Sequence, residues 1–108
     1  MIAARLYKKH GQYTGFAVSG HADSYDENSE YDLVCASVSS AVYLVCNALT
    51  EGFGGCRAFQ GESEITLEVD ENSESIQLLL QGFAQHLREI SAQYPQNLTL
   101  EETPHAQT

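Results

Sequence analysis

The chain has 108 residues, of which 43% are hydrophobic, which is the length and composition of one soluble globular domain. Fifteen acidic and five basic residues give a formal net charge of −10, which excludes a nucleic-acid binder that relies on a basic surface. The acidic balance either attracts a cationic polypeptide or simply keeps the protein soluble. No apolar run approaches the roughly 18 residues of a membrane span and no secretory pattern opens the chain, so we expect a cytoplasmic protein.

Two strands and a helix are predicted in the first half of the chain. Residues 2–8 and 13–19 alternate as half-buried strands do, and a glycine in the short segment between them predicts a hairpin turn. Residues 22–31 are polar and predict an exposed loop. An apolar stripe at spacings of three and four then predicts a helix from about Leu33 to Glu51, with Asp32 placed as its N-cap.

The second half predicts a further strand or pair of strands, a second helix and a last strand. At least one strand lies within residues 58–69, and Gln60-Gly61-Glu62 suits a turn from a short preceding strand into it. A second amphipathic helix runs from about Ser73 to Tyr94 and is ended by a proline. A last strand covers residues 97–102, and residues 103–108 are expected to form a frayed tail.

The order of these elements, β-β-α-β(β)-α-β, predicts a two-layer α+β fold. Both helices are expected to pack on one face of a mostly antiparallel sheet. We expect a single domain over residues 1–108. The order of the strands within the sheet does not follow from the sequence.

A histidine at the end of the second strand and a cysteine at the start of the first helix are the main candidates for chemistry. If Asp32 caps the helix, Cys35 lies in its first turn, where unsatisfied N–H groups and the helix dipole stabilise a thiolate. His21 follows Gly20 at the exit of the strand, so a loop that only bridges the two elements brings imidazole and thiol together. Two alternatives stay open: a packing role for Cys35 and a hydrogen bond from His21 to loop backbone.

Two polar neighbours have supporting roles in this interpretation. Asp32 either caps the helix or orients His21 through its carboxylate, and its spacing before Cys35 favours the cap. Ser39 lies one turn after Cys35 and shares its helix face. Its hydroxyl either contacts the substrate or the thiol, or bonds back within the helix.

The other two cysteines are predicted to be structural. Cys46 follows Cys35 by eleven residues in the same helix, about 16 Å along the axis, which is too far for a shared metal or a disulfide. The spacings of the three cysteines match no disulfide framework or zinc motif, and a reducing cytoplasm keeps them as thiols. We expect no metal site, because His21, Cys35 and Cys56 alone include no close pair of ligands.

Two short motifs in residues 20–39 resemble a known family. Gly20-His21-Ala22, an acidic loop, and Asp32-Leu33-Val34-Cys35-Ala36 with Ser39 are similar to the signature of the ribosomal-processing cysteine proteases, the Prp family of Firmicutes and their relatives. The resemblance extends along the whole chain in length and element order. It implies that His21 and Cys35 form the catalytic dyad, with Asp32 and Ser39 beside it in support.

The loop between the two motifs departs from the family pattern. It is slightly longer than usual, lacks the glycine often found there and carries two tyrosines instead. The resemblance implies a flexible loop that orders over the substrate. We therefore expect substrate contacts from Ala22, Asp23, Tyr25 and Tyr31.

The resemblance further implies an endopeptidase that removes a short N-terminal extension from a large-subunit ribosomal protein. Such an enzyme works in the cytoplasm without a cofactor and forms a homodimer, and we expect no direct binding of nucleic acid or membrane. The alternative is a non-catalytic acidic adaptor that binds a basic ribosomal protein and uses Cys35 for packing alone. A Cys35→Ser change separates the two, because the protease loses cleavage and the adaptor keeps its function.

Overall fold

A computed structural model of the chain describes residues 1–20 and 30–104, with the backbone alone at Glu30–Asp32 and Pro104. The loop predicted over residues 22–31 therefore lies largely outside the described residues. The described part contains five strands and two helices: β1 (Ile2–Lys9), β2 (Gln12–Ser19), α1 (Glu30–Asn47), β3 (Cys56–Gln60), β4 (Glu64–Val69), α2 (Glu74–Gln93) and β5 (Leu98–Pro104).

The strands form one mixed sheet in the order β3-β4-β2-β1-β5. Every neighbouring pair is antiparallel except β1 and β5, which run parallel. The predicted mostly antiparallel sheet and the element order are confirmed, with two strands in the region where at least one was expected. β5 extends to Pro104, which pairs with Lys8. The chain thus stays in the sheet for two residues of the segment that was expected to fray.

Both helices cover the same face of the sheet. Strand residues that lie side by side on this face are buried and join one hydrophobic core with α1 and α2, in rows formed by Ala4, Val18 and Ile65 and by Leu6, Phe16 and Leu67. The opposite face carries polar and charged side chains such as Arg5, Thr66 and Glu68. This alternation is the period-two pattern that predicted the strands.

Helix α1 begins one turn earlier than predicted. The backbone is helical from Glu30, so Asp32 is the third helical residue and its assignment as N-cap is wrong. Acidic residue types are favoured throughout a first helical turn by the helix dipole, so the sequence suits helix at these positions as well as a cap. The predicted inward stripe is confirmed: Val34, Val38, Val45 and Leu49 are buried and Ala41 is partly buried.

One helical stretch of the described residues, Leu33–Gly52, is long and apolar enough to cross a membrane by length and composition, with a mean hydropathy of 1.7. The expectation that no run approaches that length is therefore wrong, since residues 33–50 contain no charged residue. The stretch ends in a π-helical turn, Ala48–Gly52. Its valines face the sheet, and packing of this kind ordinarily explains the apolar composition of a helix in a protein core.

A buried glutamine ties α2 to the sheet. Gln77 is only 6% exposed, and its amide oxygen accepts a hydrogen bond of 2.8 Å from the backbone N–H of Tyr13. Its amide nitrogen donates to the carbonyl oxygen of Tyr13, also at 2.8 Å, and to the side chain of Asn72 at 2.9 Å. The ladder between β2 and β4 ends at Gly15 and Glu68. Gln77 therefore supplies the partners that the sheet does not give to Tyr13.

We expect Gln77→Leu to lower the free energy of unfolding by about 2–3 kcal/mol, because a buried N–H and a buried carbonyl each lose a partner. Gln81→Leu is the matched control, one turn later at an exposed position of the same helix. It should change stability by less than about 0.5 kcal/mol. Urea unfolding followed by circular dichroism measures both, and equal effects would contradict the role given to Gln77.

The chain leaves β2 through a glycine in the left-handed region. Gly20 has a φ of +85°, and a Cβ built there would lie 2.5 Å from the carbonyl oxygen of Met1. Its N–H donates a hydrogen bond of 3.0 Å to the carbonyl oxygen of Ser63. Gly20 is therefore held between the start of β1 and the β3–β4 turn, with no room for a side chain.

We expect Gly20→Ala to cost about 3 kcal/mol, because the unfavourable φ adds to a clash with backbone that cannot move aside. Gly11→Ala is its control, since Gly11 has a φ of +78° and nothing within 4 Å of its position for a Cβ. That variant meets only the φ penalty, about 1 kcal/mol. Thermal unfolding of the two proteins compares them, and a Gly20→Ala protein as stable as Gly11→Ala would refute the steric argument.

Candidate active site

The end of β2, the β3–β4 turn and the first half of α1 lie at one end of the molecule. The hydrogen bond from Gly20 to Ser63 joins the first two. The position of α1 follows from the direction of the chain, because α1 leads through its π-helical turn to the start of β3. The other end of β3 also contacts α1, since the side-chain amide of Gln60 donates a hydrogen bond of 3.4 Å to the hydroxyl of Tyr43. The residues of α1 before Tyr43 therefore extend past the end of β3, toward the side where β2 ends.

Cys35 and Ser39 lie on one flank of α1. Each follows a buried valine by one residue, which is a rotation of about 100° around the helix. Both side chains are half-buried, and Cys35 packs partly against the core. The backbone of α1 places the two residues on one helix face, as expected. This flank is on the side of Tyr43 and β3, away from α2, which the other flank of α1 meets.

The structure describes the other predicted site residues only in part. His21, Ala22, Asp23 and Tyr25 lie outside the described residues. Tyr31 and Asp32 are described by their backbone alone, in the first turn of α1. The pairing of His21 with Cys35 and the substrate contacts of the loop therefore stay predictions.

The earlier start of α1 changes the electrostatic argument for Cys35. Counted from Glu30, Cys35 is the sixth helical residue and lies in the second turn. The field of a helix terminus falls off within the first turn, so it stabilises a thiolate less here than the predicted cap implied. A lowered thiol pKa at this position would depend mainly on a neighbouring imidazolium.

The other two thiols are held in the neutral form by burial. Cys46 and Cys56 are buried, and none of the three cysteines is in a disulfide. Burial raises the pKa of Cys46 to about 11, with a smaller contribution from Cys56. Burial also raises the pKa of Cys56, to which Asp70 adds. Cys35 is thus the one cysteine with a partly exposed side chain, as a nucleophile requires.

The basic residues of the chain are largely neutralised by ion pairs away from this end. Four of the five lysines and arginines form ion pairs within residues 1–20 and 30–104: Arg5 with Glu101, Lys8 and Arg88 with Glu102, and Arg57 with Glu68 and Asp70. Glu62 and Glu64, beside Ser63 in the β3–β4 turn, are exposed and form no ion pair with any described residue. The described surface at this end is therefore acidic.

The sequence did not indicate two of the contacts that position this site. Ser63 holds Gly20 through its backbone, and Gln60 meets Tyr43 across 17 residues of chain. A carbonyl acceptor has no sequence signal, and a contact between remote residues has no periodicity. The described residues include no group of three or more histidine, cysteine or acidic side chains that could hold a metal ion.

The chain is similar in fold to several solved structures. The crystal structure of SMU.848 from Streptococcus mutans has a TM-score of 0.82 at 23% identity and covers 97% of this chain and 96% of its own, which shows the fold. The ribosomal processing protease Prp from S. aureus in complex with a substrate peptide has a TM-score of 0.79 at 25% identity. The same protease with a covalently linked product peptide has a TM-score of 0.76 at 27% identity. Each S. aureus match covers 94% of this chain and 99% of that one.

Sequence comparison gives the family. No functionally curated protein matches the chain at a significant level of similarity. The family model described as cysteine protease Prp matches residues 1–99, nearly the whole chain. The fold, the partly exposed Cys35 and the protease complexes agree with this match. The chain therefore belongs to the Prp family of cysteine proteases.

Proposed function

We propose that this protease removes a short N-terminal extension from a large-subunit ribosomal protein. The observation that carries the proposal is the match to the S. aureus ribosomal processing protease, whose fold holds a substrate peptide and covers nearly all of both chains. Family membership favours this enzyme over the adaptor that binds a basic ribosomal protein without cutting it.

Cys35 is the proposed nucleophile and His21 the proposed general base. His21 takes the thiol proton, and the sulfur attacks the scissile carbonyl carbon to give a tetrahedral intermediate. The intermediate collapses as the imidazolium gives its proton to the leaving amine, which leaves an acyl group on sulfur. Water, deprotonated by His21, then hydrolyses the thioester and regenerates the thiol. The covalently linked product peptide on the S. aureus protease supports a covalent mechanism.

Neighbouring residues have supporting roles in this proposal. Ser39 shares the flank of Cys35 and is placed to contact the substrate or the thiol. Asp32, in the first turn of α1, is proposed to orient His21, since a capping role no longer applies. The segment that contains Ala22, Asp23, Tyr25 and Tyr31 is proposed to close over the peptide and exclude water.

The charge distribution supports a basic substrate. The net charge is −10, and Glu62 and Glu64 near the end of β2 are not neutralised by a described basic residue. An acidic rim raises the encounter rate with a cationic polypeptide, and ribosomal proteins as a class are cationic because they contact RNA. The same charge opposes direct binding of nucleic acid. We also propose, from the family resemblance, a cytoplasmic homodimer that needs no cofactor.

We expect Cys35→Ala to abolish cleavage of a precursor peptide, with a loss of at least about 1,000-fold in kcat/KM and little change in peptide binding. Cys56→Ala is the matched control, because it removes the same sulfur from a buried position and should cost only stability. Cleavage is measured by mass spectrometry of the new N-terminus on candidate ribosomal-protein precursors. Wild-type rates from Cys35→Ala would overturn the assignment of the nucleophile.

We expect iodoacetamide near pH 7 to label Cys35 well before the other two thiols. With a pKa of about 11, Cys46 is a thiolate in only about one molecule in ten thousand at that pH, and its side chain is buried. As the pH rises toward 11, the Cys46 thiolate fraction grows and this selectivity shrinks. Peptide mapping gives the labelled fraction at each cysteine, and urea-unfolded protein should label all three alike. Equal rates in the folded protein would refute selective activation.

A further inference from the structure

Strand β3 forms one edge of the sheet, and its ladder shows which main-chain groups that edge exposes. Just after β3, the N–H of Gly61 donates a hydrogen bond of 2.8 Å to the carbonyl oxygen of Glu64, the residue opposite it in the β3–β4 register. In an antiparallel pair, residues bonded to the partner strand alternate with residues whose N–H and C=O point away from it. Counted from Gly61, the main-chain groups of Ala58 and Gln60 point to the free edge, where no described residue bonds to them.

This edge lacks the side chains that normally keep an edge strand from pairing with another chain. The opposite edge, β5, carries Glu101, Glu102 and Pro104, and charged residues and proline are such protection. The only charged residue of β3 is Arg57. Its guanidinium is directed toward β4, since it donates a hydrogen bond of 3.0 Å to Glu68. The edge is therefore open to a further strand.

The edge is also open on the side of the helices and lies beside the flank of α1 that holds the thiol. Ala58 lies opposite a core leucine of β4, yet it is exposed, so the helical layer stops short of the outer part of β3. Tyr43, which contacts Gln60, follows Cys35 by two turns on the same flank of α1. Those eight residues span about 12 Å along the helix axis. An extended peptide covers that distance in about four residues.

We propose that the free edge of β3 binds the substrate as an additional antiparallel strand, through the peptide segment that follows the scissile bond. The inference rests on the proposed protease function and names how the enzyme holds its substrate beyond the thiol. An antiparallel strand that begins at Gln60 runs toward Cys56, so its N-terminal end lies on the side of Cys35. Peptide residues about four and six positions after the scissile bond would exchange main-chain hydrogen bonds with Gln60 and Ala58.

Charge favours a cationic substrate over another occupant of this edge. Glu62 and Glu64 lie at the end of β3 where the bound segment would begin, and neither forms an ion pair with a described basic residue. They attract a cationic polypeptide, whereas the same edge of a second copy carries the same two carboxylates and is repelled. Main-chain hydrogen bonds give affinity without reading side chains, so this edge would hold the segment without restricting its sequence.

Ala58→Pro tests the edge, because proline removes the outward N–H and leaves the ladder with β4 intact. Ala58→Val is the matched control, since valine suits a strand and keeps the N–H. Two peptides with the same cleavage site are compared, a short one that ends before the proposed segment and a long one that includes it. Ala58→Pro should lower kcat/KM for the long peptide by at least about 5-fold. It should cleave the short peptide as wild type does, which also shows that it folds, and equal losses on both peptides would overturn the proposal.

N-methylated peptides test the same edge with wild-type protein. Each methyl group removes one N–H donor from the long peptide. Methylation at alternate residues of the segment should slow cleavage and methylation between them should not, because only every second N–H of a strand faces Ala58 and Gln60. A segment held by its side chains would show no such alternation, and that result would refute strand pairing.

Amide hydrogen exchange of the Cys35→Ala protein gives a direct readout. The amides of Ala58 and Gln60 should exchange at least about 10-fold more slowly with the long peptide bound, whereas the amide of Phe59, which faces β4, should be slow in both states. Slowing that needs no peptide and grows with protein concentration would assign the edge to a second copy and overturn the proposal. If wild type cuts no ribosomal-protein precursor, the proposed function fails and this inference with it. If it cuts them but the alternation and the slowed exchange are absent, only the edge is wrong.

Discussion

The packing of α1 on the sheet decides where the thiol lies. Val34 and Val38 are 1% exposed or less, and burying a valine side chain contributes about 1.5–3 kcal/mol. A rotation of α1 by one residue, about 100°, would turn this stripe toward solvent. The helix is therefore fixed in rotation, and the residues that follow each valine, Cys35 and Ser39, are held at the edge of the core. At the edge of the core, a cysteine has a rigid backbone and a partly exposed side chain. In the valine stripe its side chain would be buried, and on the outer face of the helix it would not pack against the core.

Charge divides the molecule into three regions. The open face and edges of the sheet carry acidic and basic residues in ion pairs, such as Arg57 with Asp70, and exposed pairs of this kind add little stability. The end that holds Gly20 and the β3–β4 turn is acidic without compensation among the described residues. The outer side of α1 is uncharged from residue 33 to residue 50. One chain with a strong net charge thus separates an acidic end, at Gly20 and the β3–β4 turn, from an uncharged outer face of α1.

Sequence patterns predicted the helices and strands because interactions between residues close in sequence decide where these elements form. The valine stripe of α1, the two-residue turn at His10 and Gly11 and the proline after α2 are each signals within a few residues of what they specify. The start of α1 was wrong because Asp32 suits an N-cap and a first helical turn equally, and tertiary packing chooses between them. The parallel pairing of β5 with β1 and the hydrogen bonds between Gln77 and Tyr13 join residues more than 60 positions apart. The pairing of β2 with β4, on which the strand order depends, joins residues 45 to 53 positions apart. No periodicity in the sequence indicates contacts over such separations.

The same distinction between local signals and remote contacts applies to the candidate site. The strand exit at Gly20 and the helical position of Cys35 could be predicted from sequence, because a strand end, a glycine and a helical cysteine are local features. What makes Gly20 obligatory is remote: the carbonyl of Met1 lies where a Cβ would be, and Ser63 accepts the N–H.

The two flanks of α1 have different surroundings. Cys35 and Ser39 lie about 100° to one side of the valines that they follow, and Ser37 lies about 100° to the other side, toward α2. The sheet fixes the inner face of α1 and α2 packs against one of its flanks, so the helix is held on two sides while Cys35 lies on the flank that faces β3. Rigid support on the remaining sides is what a nucleophile needs in order to keep its position while a mobile peptide is bound.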